Sequence, residues 1–161
     1  MMAENSTRKQ INQWFPRTAA NLTSISITSP CTWSYNCVAW AVGIDNQWLE
    51  PSPAGYWPVA TVGATLDAYA LMFAHYGYSA CPDGKVEKDV EKIVIYGDSV
   101  GNFLHVARQL SNGRWTSKLG AQSDITHVTP EILISPDYGS PCRFMSRPKA
   151  KPASLSGVKT R

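Results

Sequence analysis

Hydrophobic and polar positions change rhythm several times along this chain, and each change marks an element. In the run Asn36-Cys-Val-Ala-Trp-Ala-Val-Gly43, residues Val38, Ala41 and Val42 fall at i, i+3 and i+4, which places them on one face of a helix. Ser34 or Asn36 can cap that helix and Gly43 can end it. A second helix fits Thr65 to Tyr76, where Leu66, Tyr69, Ala70 and Phe73 recur at helical spacing and Gly77 supplies the stop. Strand signals are shorter. They comprise an extended piece around Ile25 and Ile27, the stretch Tyr78–Cys81 before a Pro82-Asp83-Gly84 turn, and Ile93-Val-Ile-Tyr96. Leu104–Leu110 and Arg114–Leu119 flank Ser111-Asn112-Gly113 and read as a hairpin, since Asn-Gly favours its turn. Thr129, Pro130 and Glu131 open a short helix, and a last strand covers Pro141 to Met145.

The remaining segments lack such rhythm. Residues 1–13 are polar and read as frayed, with Trp14, Phe15 and Pro16 as anchors; 18–34 reads as loop. Residues 44–64 contain Pro51, Pro53 and Pro58 with Trp48, Tyr56 and Trp57, an aromatic excursion of the length that functional loops reach. The order helix, helix, antiparallel sheet predicts an α+β domain with N-terminal helices packed on a small sheet. One domain is expected over 1–147, with 1–17 as an N-terminal arm and 148–161 as a basic, disordered tail.

Composition narrows the function classes. A hydrophobic fraction of 43% and a charged fraction of 17% are those of a globular chain. No apolar run is long enough to span a bilayer and the start has no apolar signal core, so a cytoplasmic protein is expected, or an effector secreted without a signal peptide. The net charge of +3 is unevenly divided, because six of fifteen Lys/Arg lie between Arg143 and Arg161, where there is no acid. The body is therefore mildly acidic, and nucleic acid is not an expected partner. Four scattered cysteines, Cys31, Cys37, Cys81 and Cys142, form no C-x-x-C pair, and neither a disulfide framework nor a zinc site is expected.

One cysteine stands in a setting that suits nucleophilic chemistry. Cys37 lies in the opening turn of the first helix, where backbone N–H groups stabilise a thiolate and an oxyanion. Three histidines could serve it as base. His75 falls near the end of the second helix and reads as structural, whereas His127 reads as a cap neighbour or supporting group. His105 opens a strand directly after a loop containing Gly97 and Gly101, where a side chain can project toward a helix terminus.

The segment Tyr35-Asn-Cys-Val-Ala-Trp-Ala41 resembles the nucleophile helix of papain-like thiol hydrolases, including their cell-wall amidase and endopeptidase branches. The stretch His105-Val-Ala-Arg-Gln-Leu-Ser-Asn-Gly-Arg-Trp-Thr-Ser117 is similar to their His-bearing hairpin and to that of transglutaminase-like proteins. The pattern through Asp124-Ile-Thr-His127 also resembles a group of small microbial proteins. The resemblance implies a papain-like fold and a Cys37–His105 pair that needs no cofactor. It further implies a polar third residue one strand later. Ser117 occupies the family's position but orients an imidazolium poorly, and Asp124 has better chemistry but falls in the following loop; both stay open, as does a dyad or an inactive scaffold. The Cys37 amide, helped by Asn36 or Ser34, is the expected oxyanion donor, with Trp57 at the substrate. The expected activity is that of a cysteine peptidase or amidase on a peptide or protein substrate, with transfer and deamidation open. The alternative is a non-catalytic module that binds a peptide or protein partner.

Overall fold

The computed structural model describes residues 4–150. Among them, seven strands form one sheet: β1 (Ile25–Ile27), β2 (Ser79–Cys81), β3 (Val90–Gly97), β4 (Phe103–Gln109), β5 (Trp115–Lys118), β6 (Asp124–His127) and β7 (Ser140–Pro148). Their order is β1-β6-β5-β4-β3-β7-β2, and every neighbouring pair is antiparallel. Three short helices accompany them, α1 (Arg8–Trp14), α2 (Cys37–Ala41) and α3 (Leu66–His75). The molecule is thus mainly β. This overturns the expected α+β, papain-like arrangement of helices on a small sheet. The helices are too short to form a layer of their own, and β6, a strand of four residues too brief to show alternation, joins the strands read from the sequence in one sheet.

The interior strand β3 explains its own sequence. Ile93 and Ile95 point into one core with Val38, Ala41, Leu66, Met72, Phe73, Val106 and Met145. Val94 and Tyr96 point into another with Ile11, Phe15, Ala107, Trp115, Ile125 and Leu133. A strand buried on both faces reads as an unbroken apolar run, and each such side chain contributes about 1.5–3 kcal/mol by leaving water. The helices α2 and α3 cover the first face, and α1 with the turn Pro130–Leu133 covers the second.

The chain's ends also differ from expectation. Residues 8–14 form α1, capped by reciprocal hydrogen bonds between Thr7 and Gln10, and Ile11 is fully buried. At the other end β7 runs on to Pro148, and the Lys149 amide donates to the Asp89 carbonyl at 2.8 Å. Two of the six basic residues from Arg143 onward lie in β7 and are paired: Arg143 meets Asp67 at 2.7 Å and Arg147 meets Glu91 at 3.1 Å. The expected disordered tail from residue 151 lies outside the described residues.

Two irregularities in β4 shape the surroundings of His105. His105 pairs with Tyr96 and Phe103 with Gly97, so Leu104 is an extra residue that bulges the strand beside His105. Moreover, β4 pairs with β5 only at Arg108 and Gln109, while β5 keeps pairing with β6 out to Lys118. From Ala107 back to Phe103, β4 therefore has no strand partner on its β5 side.

Candidate functional site

The start of α2 is built by Asn36. Its side-chain oxygen accepts from the Ala39 amide at 3.1 Å and the Leu49 amide at 3.2 Å, and its nitrogen donates to the Leu49 carbonyl at 2.8 Å. The cap is thereby tied to the following loop, and Gly43 takes a positive φ of 91° just after the helix. Cys37 is the first helical residue, partly accessible and packed against the first core. The backbone amides of Val106, Val38 and Cys37 itself favour the charged form of its thiol. With α2 only five residues long, these local donors rather than a helix dipole supply the stabilisation expected at a helix start. The Val106 amide is available because β4 has parted from β5. Burial still outweighs the donors and pushes the thiol up to about 11.

His105, the residue before Val106 in β4, is fully buried opposite Tyr96 and makes no hydrogen bond to the Cys37 thiol. Its ring stacks on Tyr138, with centroids 4.0 Å apart and planes 11° from parallel. Nε2 lies 2.9 Å from Ser117 Oγ, which in turn lies 2.8 Å from Nε2 of His127. His127 Nδ1 lies 2.9 Å from the Thr129 carbonyl. His105 Nδ1 is buried without a hydrogen-bond partner. Burial holds His105 well below its ordinary value, with His127 adding to the effect, and burial likewise takes His127 down to about 4. The Tyr138 phenol is pushed far up, by burial first, with ionisable Cys37 adding to the effect.

The other sequence candidates lie elsewhere. Asp124 is in β6, not in a loop, and makes no hydrogen bond to His105. Its carboxylate accepts from Tyr35 at 2.5 Å and from Thr28, and its amide donates to Ser29 at 2.8 Å. It locks the 28–35 loop rather than orienting the imidazole. Asn36 uses its side chain in capping α2 and holding Leu49, and the exposed Ser34 hydroxyl accepts from Thr32 at 2.9 Å. Trp57 is a packing residue, edge-on to Tyr69, and donates to the Thr61 carbonyl at 2.7 Å. His75 is exposed on α3.

Two groups near the site were not singled out for it from sequence. One is Tyr138. The other is Lys118, whose Nζ donates to the carbonyls of Thr32 at 2.8 Å and Gly120 at 2.5 Å and sits 4.8 Å from the Tyr35 ring centre. Burial lowers Lys118 to about 8. Among the described residues, no three His, Cys, Asp or Glu side chains are gathered as metal ligands, and the four cysteines are free.

Residues 26–146 match the family described as Domain of unknown function (DUF7689). The chain belongs to that family. The DUF7689 segment contains Cys37, Val106, His105, Ser117, His127 and Tyr138, whereas α1 precedes it. No curated protein and no solved structure matches the chain. No helix among the described residues is long and apolar enough to cross a membrane.

Proposed function

We propose that the protein is a cysteine-dependent hydrolase or acyl transferase acting on an amide or peptide bond, with Cys37 as nucleophile and His105 as base. The observation that carries this reading is a thiol at the start of α2 whose charged form the Cys37, Val38 and Val106 amides favour, with an imidazole one residue before Val106 whose Nδ1 is left without a partner. Such amides stabilise negative charge on sulfur or on the adjoining oxyanion. Both resting groups are neutral, so the proton moves within the step that forms the C–S bond. Cys37 sulfur adds to the carbonyl carbon and His105 Nδ1 takes its proton. The C–N bond then breaks, the amine departs with that proton, and a thioester remains. Water or an acceptor amine attacks the thioester and releases the thiol.

The burial that raises the thiol favours a second reading, a non-catalytic module. That module would hold a peptide or protein partner on Trp33, which is 77% exposed and packed 5.4 Å from Trp48.

A p-nitrophenyl ester of a short N-acylated peptide separates the two. The enzyme releases nitrophenolate in a burst and carries a hydroxylamine-labile acyl group on Cys37, found by peptide mass mapping; His105→Ala abolishes the burst. Acylation spread evenly over the four cysteines, or indifferent to His105→Ala, overturns the enzyme reading.

A further inference from the structure

A buried chain of hydrogen bonds with a carbonyl at one end has only one consistent set of proton positions. The Thr129 carbonyl can only accept, so the bond at 2.9 Å requires a proton on His127 Nδ1. His127 is neutral, held to about 4 by burial, and its Nε2 is therefore a lone pair. The Ser117 hydroxyl has one proton and must give it to that Nε2 at 2.8 Å. Its oxygen is then the acceptor for His105 at 2.9 Å, which requires a proton on His105 Nε2. The neutral His105 ring has no second proton, and the unpartnered Nδ1 is left as a bare lone pair. All three polar side chains of this chain, His105, Ser117 and His127, are fully buried, so water does not scramble the order.

We propose that His127 is a positioning residue for this site: through Ser117 it fixes His105 as the Nε2–H tautomer and keeps Nδ1 as the proton acceptor. The role rests on the Cys37–His105 reading. It resolves why a serine can stand where a stronger orienting group is expected, since Ser117 transmits the preference of a histidine on the next strand. Register makes this possible: Trp115 pairs with His127 and Ser117 with Ile125, which sets Ser117 and His127 diagonally on one face of β5 and β6.

The test starts from the intact chain with histidines labelled by ¹⁵N, using long-range ¹H–¹⁵N correlation spectra near neutral pH. The expected spectrum shows His105 protonated at Nε2 and His127 protonated at Nδ1. A His105 ring protonated at Nδ1 overturns the proposal, whatever any variant does. With the same peptide ester as probe, His127→Leu is expected to slow Cys37 acylation about a hundredfold, the lower range of what a general base supplies. His127→Gln, whose side-chain oxygen can still accept from Ser117, is expected to recover to within about tenfold of the wild type. His127→Leu added to Ser117→Ala is expected to slow acylation no further than Ser117→Ala alone. Equal losses in the Leu and Gln variants, or losses that multiply in the double variant, mark His127 as packing only and overturn the proposal. The two readings fail differently. Acylation of Cys37 with the wrong His105 tautomer removes the positioning role alone. Correct tautomers without any acylation of Cys37 remove the enzyme reading, and the positioning role with it.

Discussion

The Val106 amide favours the charged form of the Cys37 thiol at the place where β4 has parted from β5. In an unbroken sheet that amide belongs to the ladder; here it lies beside a thiol. The pairing of the strands, rather than the length of a helix, thus equips the site.

A neutral thiol working with a neutral imidazole has a pH signature. His105 is depressed well below its ordinary value, so it stays an acceptor down to that depressed value and loses Nδ1 to a proton below it. The thiol is held up to about 11. The rate of Cys37 acylation should rise as His105 deprotonates in acid and then stay flat from about pH 7 to about pH 9. An unassisted thiol would instead gain about tenfold per pH unit over that span. Stopped-flow release of nitrophenolate across the range distinguishes the two profiles.

Contact favours Ser117 over Asp124 as the third residue of the proposed site. Ser117→Ala should slow acylation sharply, because it cuts the only hydrogen bond to the His105 ring among the described residues. Asp124→Asn should leave the acylation rate near wild type but lower stability by about 1–3 kcal/mol. The loss arises because the Asp124 carboxylate satisfies Tyr35 and Thr28 in and near the core. Urea midpoints and burst rates measured on both variants check the contrast; an inactive, fully stable Asp124→Asn would reverse the assignment.

Two dry histidines also make stability pH-dependent. Above pH about 6.5 neither the folded nor the unfolded chain protonates them, and stability is at its full value. As the pH falls below that point the unfolded chain takes up protons that the folded one refuses. Stability therefore declines until the folded pKa is reached, about 4 for His127. Between pH 7 and pH 5 the loss should be about 2 kcal/mol from His127, with His105 adding to it in the same direction. Urea unfolding at the two pH values measures it, and His127→Gln should remove one histidine's share.

Gly139 holds the loop that brings Tyr138 over His105. Its φ is +65°, and an added Cβ would run into the Gly97 carbonyl oxygen. Neither backbone can yield easily, because Gly139 pairs with Ser135 and Gly97 with Ser140. Gly139→Ala should lower stability by about 3 kcal/mol or more. It should also displace Tyr138, readable as a changed ring-current shift on the His105 protons.

Much of the frame was legible in the chain. Thr65 and Gly77 bracket α3, Asn36 and Gly43 bracket α2, and Ser111-Asn-Gly113 turns β4 into β5, each for a local reason that survives folding. Residues 8–14 carried a legible signal that the polar composition masked. Thr7 and Gln10 have the spacing of a reciprocal cap, while only Ile11 marks the buried face. By contrast, β6 is Asp-Ile-Thr-His, and Asp124 and His127 are buried because partners far away in sequence, in the 28–35 loop and on β5, satisfy them. No local pattern announces such partners. The same holds for the choice between Ser117 and Asp124, which depends on register across three strands. The expected balance of helix and sheet failed for a related reason: short strands gain their stability from pairing, and pairing is not written along the chain.

The covering of the second sheet face has a consequence for where this domain can be cut. Phe15 packs 4.9 Å from Tyr138, which stacks on His105, and Ile11 lies in the same core, yet both precede the family segment that begins at residue 26. Trimming the chain to that segment would strip the roof from the imidazoles and let solvent in. Their affinity for protons would climb back toward that of free histidine, turning a fixed lone pair into one that ordinary changes in acidity switch on and off.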